Sequence, residues 1–132
     1  MTTSFHTVHL FIARETRKLT GKSGEFNRLL QNAIDDALNS FGKSVEQSIY
    51  FHLENKFNVP RKEIPKNLKA FQAGLEKIFG IGARFIEILI IKNLHAEIGL
   101  PLDMGKSCKL EFIEYVNAAE QSYLTYGLRK TG

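Results

Sequence analysis

The 132-residue sequence contains no tryptophan, one cysteine, three prolines and no apolar run long enough to cross a membrane. Because Cys108 is the only cysteine, no internal disulfide can form, and a reducing cytoplasm is the expected compartment. The longest largely apolar stretch, Phe85 to Ile91, is far shorter than the roughly 20 residues that a transmembrane helix needs. The first residues also lack the basic start of a signal peptide. These absences predict a soluble cytoplasmic protein.

Motifs that would carry catalysis or hold a metal are also missing. His6 and His9 would share one helix face, but a zinc site needs a third and usually a fourth ligand. No His-x-x-x-His, Cys-x-x-Cys or carboxylate pair stands beside them to supply these ligands. Gly80 and Gly82 lack the third glycine or the Lys-Ser/Thr pair of a phosphate-binding loop. No serine or carboxyl group stands in a recognisable catalytic arrangement. We therefore expect no enzymatic activity, no metal and no cofactor.

The net charge of +4 is concentrated in two parts of the chain. Residues 1–24 contain four basic side chains and one acidic side chain, which gives +3 and leaves only +1 for the rest. A second basic cluster surrounds Pro60 and Pro65. Clusters of this size usually form a solvated face, but they could also contact a nucleic acid or a protein partner. The candidate binding residues are Arg14, Arg17, Lys18, Lys22, Lys62, Lys66 and Lys69.

Helical spacing of apolar residues predicts an all-α protein, a compact bundle of about five helices. Ser44 and Gln47 form a capping-box pattern, Asn67 is a plausible N-cap, and Gly42 and Gly99 are stop signals. Two prolines exclude regular helix between residues 58 and 65. The expected helices run from about Glu25 to Ser40, from Ser44 to before Pro60, from Leu68 to Phe79, from Ala83 to Ile98, and from near Ser107 to Gly127.

The fourth predicted helix is apolar on nearly every side, which is typical of a helix at the centre of a bundle. Taken alone, Phe85 to Ile91 also fits a buried strand, but the length of the pattern and its stop at Gly99 favour helix. Gly80 and Gly82 permit a tight turn, so the third and fourth helices are expected to pack as a hairpin.

Two regions are expected along the chain, a basic N-terminal arm over 1–24 and a helical bundle domain over 25–132. The arm fits a helix through Phe5, Val8 and Ile12, but an alternating strand through His6, Val8, Leu10 and Ile12 fits equally. We favour a helical arm that docks on another subunit, which predicts a homo-oligomer. Four aromatic rings outside the expected core could stack on single-stranded bases, although a subunit contact is favoured. These rings are Tyr50, Phe51, Tyr115 and Tyr126.

Several short motifs resemble a known family. The run from Phe41 to Phe57 includes Ile-Tyr-x-His-Leu at 49–53, and Ile-Phe-Gly-x-Gly-Ala follows at 78–83. With Arg61-Lys62-Glu63-Ile64-Pro65 between them, these motifs resemble the archaeal Nitrosopumilus output domain of the fifth type over roughly residues 36 to 100. The resemblance implies a small helical domain with a signalling or regulatory output role in an archaeal cytoplasm.

Three functions remain open from the sequence. The first is a non-enzymatic helical output or interaction module in archaeal signalling or gene regulation, acting as a homo-oligomer with a possible protein partner. The second is a nucleic-acid-binding regulator that uses the basic arm and the second basic cluster, provided that both lie on one face. The third is a small-molecule sensor with a pocket near His52 and Tyr50. His52 is otherwise expected to be a core residue on the second helix.

Overall fold

Five α-helices and two short 3₁₀ helices form the part of the chain that the computed structural model describes, residues 24–99 and 111–131. No strand occurs within these ranges, so the predicted all-α bundle is confirmed. None of the helices in the described ranges is long and apolar enough to span a membrane. The helices are α1 (24–39), α2 (Lys43–Phe57), α3 (Leu68–Phe79), α4 (Ala83–Ile98) and α5 (Phe112–Thr131), and the 3₁₀ helices are Arg61–Lys66 and Gly80–Gly82.

The hydrophobic core follows the apolar spacing of the sequence. In α1 every predicted inner position except Leu29 and Phe41 is fully buried, and Phe41 lies half exposed after the helix has ended. Leu53 from α2 and Leu75 from α3 are also inaccessible to solvent. A Cβ built on Gly74 would lie 2.6 Å from Leu53 Cδ2, so the absence of a side chain at this position lets α2 and α3 approach closely.

Helix α4 lies at the centre of the bundle and contacts α1, α3 and α5. Asn93 Nδ2 donates a hydrogen bond to the Ala33 carbonyl of α1 at 3.2 Å, and Gln72 Nε2 of α3 lies 3.5 Å from Glu87 Oε2 of α4. Glu111, at the start of α5, lies beside the start of α4. Ile113 and Asn117 of α5 lie beside Leu68 at the start of α3, and Glu111 lies beside Glu76 near its end, so α5 runs antiparallel to α3. Because α3 and α4 form the predicted hairpin, α5 runs in the same direction as α4.

The prediction that α4 is buried on most sides needs correction. Ile86, Ile90 and Leu94 are buried, but Phe85 is 76% exposed. The reason is that α1, α3 and α5 leave one stripe of α4 uncovered, which includes Phe85, Lys92 and Ala96.

Some predicted helix ends and caps also differ. α2 begins at Lys43 without a side-chain cap, because the residue at its N-cap position is Gly42, which has no side chain. Asn67 stands at the predicted N-cap of α3, but its side chain makes no capping bond. Pro65 is accommodated in a 3₁₀ helix where the sequence predicted no regular helix. α5 continues through Thr131, past the predicted end at Gly127, and its predicted start near Ser107 lies outside the described residues.

Candidate functional site

The 3₁₀ helix Arg61–Lys66 places basic side chains on the surface while one residue anchors it to the core. Ile64 is fully buried, whereas Arg61, Lys62 and Lys66 are exposed. The Glu63 amide donates to the Pro60 carbonyl at 2.9 Å, and the Asn67 amide donates to the Ile64 carbonyl at 3.0 Å. This tight helix therefore holds three cations close together, outside the core.

Arg61 is also tied to α1 and α2 through the carboxylate of Asp35. Arg61 Nε donates to Asp35 Oδ1 at 3.1 Å, and Arg61 Nη2 donates to Asp35 Oδ2. Tyr50 Oη donates to the same Oδ1, and Gln31 Nε2 donates to it at 3.1 Å. The Arg61 guanidinium lies 5.8 Å from the centre of the Tyr50 ring, within cation–π distance. The four side chains fix the 3₁₀ helix against both α-helices.

The network shifts the pKa values of Asp35, Tyr50 and Arg61, and each shift favours the protonation state that the hydrogen bonds require. Burial acts to raise the pKa of Asp35, but hydrogen bonds from Arg61, Tyr50 and Gln31 outweigh it and lower the pKa below the ordinary 3.8. Burial and the hydrogen bond to the Asp35 carboxylate raise the pKa of Tyr50. The hydrogen bond to Asp35 also raises the pKa of Arg61. At neutral pH the network thus holds a carboxylate, a neutral phenol and a guanidinium.

Two adjoining hollows extend from Arg61 across the surface and carry only basic charge. The first has a volume of about 290 Å³, and the second, of about 310 Å³, shares Pro65 and Lys66 with it. No carboxylate lines either hollow. We call this surface the basic face and define it by five side chains: Arg28, Arg61, Lys62, Lys66 and Lys69.

The basic face combines predicted residues with one that the sequence reasoning missed. Lys62, Lys66 and Lys69 lie together, as their spacing indicated. Arg28 joins them from α1, and no local pattern in the sequence marks it, because its position depends on how α1 packs against the 3₁₀ helix. Gly24 lines the first hollow, so the segment that precedes it is attached at the edge of the basic face. The other four candidates, Arg14, Arg17, Lys18 and Lys22, lie outside the described residues.

His52 does not line the hollow that Tyr50 borders. Tyr50 borders a polar hollow of about 380 Å³, together with Asp35 and Glu46. His52 is half buried, and its Nδ1 has no hydrogen-bond partner among the described residues. Two residues that are two positions apart on an α-helix point about 200° apart, which explains the separation. A ligand pocket near His52 stays a prediction.

The turn between α3 and α4 exposes apolar side chains instead of basic ones. Ile81 is 95% exposed, Phe85 follows one helical turn later, and the partly exposed Ile88 lies one turn further. We call these three residues the apolar tip. Ile81 also lines a hollow of about 400 Å³ whose charged residues are Glu76, Arg84, Glu87 and Glu111.

Of the three glutamates at this hollow, Glu87 is partly buried, whereas Glu76 and Glu111 are exposed. Burial raises the pKa of Glu87, and the neighbouring Glu76 and Glu111 act in the same direction, against the hydrogen bond from Gln72 and the charge of Arg84. The described residues contain no group of three or more histidine, cysteine or carboxylate side chains arranged to hold a metal ion. The geometry therefore offers two surfaces, one basic and one apolar with an acidic rim.

Comparisons with protein families, with curated proteins and with solved structures find no match to this chain. The resemblance to the Nitrosopumilus output domain stays a prediction, and the function has to be inferred from the two surfaces.

Proposed function

We propose that this chain is a non-enzymatic helical module of signalling or gene regulation that binds the phosphate backbone of a nucleic acid through its basic face. The observation that supports the proposal is the pair of adjoining hollows, which place five cationic side chains together without a carboxylate in their lining. The output role follows from the family resemblance, and the choice of ligand follows from the charge.

The cations of the basic face differ in how available they are to a ligand. Arg61 is already engaged by both oxygens of Asp35. Arg28, Lys62, Lys66 and Lys69 form no ion pair with another described residue. Exposed lysines of this kind bind phosphates as mobile point charges. We therefore assign ligand contact to these four and assign to Arg61 the role of holding the 3₁₀ helix in place.

Such a surface contacts the backbone of a nucleic acid better than its bases. Phosphate contacts fix position and supply affinity, but they carry no sequence information. No aromatic ring lines the two hollows of the basic face. Their amide side chains are Asn27, Gln31, Asn67 and Asn117, of which Gln31 donates to Asp35. We expect affinity for both duplex and single strands, with weak dependence on their sequence.

The test is a salt titration with labelled duplex and single-stranded oligonucleotides. Neutralising phosphates releases counterions, so the logarithm of the binding constant should fall with the logarithm of salt concentration by about 0.9 per neutralised phosphate on a duplex. The double variant Lys62→Ala/Lys66→Ala should bind more weakly, and its slope should be smaller by about 0.9 for each phosphate that it no longer neutralises.

A matched control changes the net charge by the same amount elsewhere on the surface. Lys77→Ala/Lys92→Ala removes two exposed lysines that line neither hollow of the basic face, and it should retain the wild-type slope. Equally weakened binding in the two double variants would show that net charge alone drives it. Absence of binding to either probe at low salt would contradict the proposal.

A further inference from the structure

The apolar tip exposes large apolar side chains and lies beside a hollow lined by acidic side chains. Ile81 and Phe85 are among the most exposed large apolar side chains of the described residues. Single exposed apolar residues are common, but neighbouring ones at helical spacing mark a contact site. Three glutamates and one arginine line the hollow beside Ile81, which gives the rim a formal charge of −2. A complementary occupant therefore needs apolar side chains next to several cations.

The 23 residues that precede Gly24 have this composition. Phe5, Val8 and Ile12 supply apolar side chains, and a basic run follows within two to six positions. The segment carries four basic side chains against Glu15, a formal charge of +3. Its apolar part and its charge thus complement both the apolar tip and its acidic rim. The basic residues of the segment are Arg14, Arg17, Lys18 and Lys22.

The length of the segment limits which of its cations reach the tip of the same chain. Gly24 lies beside Lys66, just before α3 begins, whereas Ile81 follows the end of α3. The 12 residues of α3 span about 18 Å. Six residues separate Lys18 from Gly24 and reach at most about 21 Å when fully extended. Within one chain Lys18 could barely reach the acidic rim, and only as a straight strand, although Arg14, ten residues from Gly24, reaches up to about 35 Å. The tip of a second copy accepts the whole basic run without this restriction on Lys18.

We propose that the N-terminal segment of one copy covers the apolar tip of a second copy, with its basic run against Glu76, Glu87 and Glu111. A two-fold dimer would make this contact twice, because each copy has one segment and one tip. This inference goes beyond nucleic-acid binding, since it involves the opposite end of α3 and a different partner.

Charge reversal in the full-length chain tests the proposal by sedimentation. The tip variant Glu76→Lys/Glu87→Lys/Glu111→Lys and the segment variant Arg14→Glu/Arg17→Glu/Lys18→Glu should each dimerise about tenfold more weakly or worse, because like charges then face each other. An equimolar mixture of the two should form a heterodimer through the reversed segment and the reversed tip, which again carry opposite charges. Restoration in the mixture requires two copies, so an intramolecular contact predicts no restoration and would overturn the proposal.

The apolar part is tested with a matched pair of aromatic residues. Phe85→Ser should weaken the dimer, whereas Phe51→Ser should not, although Phe51 is also 63% exposed. Because the protein contains no tryptophan, Phe85→Trp also provides a fluorescence signal from this site alone. Its emission should shift to longer wavelength on dilution to the monomer, and the emission of Phe51→Trp should not change.

Equal helicity of all variants by circular dichroism establishes that they fold. A full-length wild-type chain that stays monomeric at micromolar concentration, or a Phe85→Trp emission that is independent of concentration, would refute the proposal. Neither result would affect the salt titration, so the failure of one proposal leaves the other standing.

Discussion

At the scale of single residues, Asp35 is the most consequential polar side chain of the described chain. Its carboxylate accepts hydrogen bonds from Arg61, Tyr50 and Gln31, and it thereby joins α1, α2 and the 3₁₀ helix. Hydrogen bonds to charged groups contribute more to stability than neutral ones do, but exposure to solvent weakens them. Arg61 is about half exposed, so the network stabilises the fold moderately.

We expect Asp35→Asn to lower the free energy of unfolding at pH 7 by about 1 to 2 kcal/mol. The folded-state pKa of Asp35 lies below 3.8, so the wild-type advantage should be complete above that pH. It should disappear as the pH falls through the lowered pKa of the folded protein. Urea denaturation of both proteins between neutral and strongly acid pH measures this difference.

Asp36→Asn serves as the control, because this exposed neighbour has no side-chain hydrogen bond among the described residues. Its stability should follow that of the wild type across the whole range. A stability difference for Asp35→Asn that persists unchanged in strong acid would show that the carboxylate charge is not responsible.

The residues of this network show what the sequence could and could not provide. Lys62, Lys66 and Lys69 are close in sequence, so their cluster was predictable from spacing alone. Asp35 and Arg61 are 26 positions apart, and their contact depends on the packing of three elements. In the sequence Asp35 is only a neighbour of Asp36 on a helix, and that position carries no information about distant partners.

At the scale of helices, apolar periodicity located all five elements because each buries one continuous face. The capping-box prediction at Ser44 was wrong because the helix begins at Lys43, which places Ser44 inside the first turn and leaves Gly42, a residue without a side chain, at the N-cap position. Composition predicted that α4 is buried on most sides, because it counts apolar residues without showing which side meets a neighbour.

Leu94 and Leu89 of α4 provide a direct test of that correction. Leu94→Ala should destabilise the protein by about 2 to 5 kcal/mol, because the side chain is fully buried and its removal leaves a cavity. Leu89→Ala removes the same atoms from a partly exposed position and should cost clearly less. Similar denaturation midpoints for the two variants would mean that α4 is buried on most sides after all.

At the scale of the whole molecule, charge of opposite sign collects at the two ends of α3. The basic face lies near its first residues, and the acidic rim of the apolar tip lies near its last. Like charges held together on one face repel each other, and salt screens that repulsion over roughly 10 Å at 0.1 M.

Moderate salt should therefore raise the melting temperature of the wild-type protein in the absence of any ligand. The rise should be smaller in Lys62→Ala/Lys66→Ala, which relieves the repulsion, and unchanged in Lys77→Ala/Lys92→Ala. Differential scanning calorimetry at low and moderate salt provides the measurement. A larger rise in the first variant than in the wild type would mean that the lysines of the basic face do not repel one another.

The 3₁₀ helix Arg61–Lys66 has a consequence for hydrogen exchange. Because it is a short element fastened mainly by Ile64 and by the Arg61–Asp35 pair, the amide hydrogens of Glu63 and Asn67 should exchange through local opening, well before the bundle unfolds. A ligand that binds only the closed helix reduces the open population by the factor 1 + [L]/Kd. The exchange rates of these two amides would then report how much of the basic face is occupied, residue by residue and without a label on the ligand.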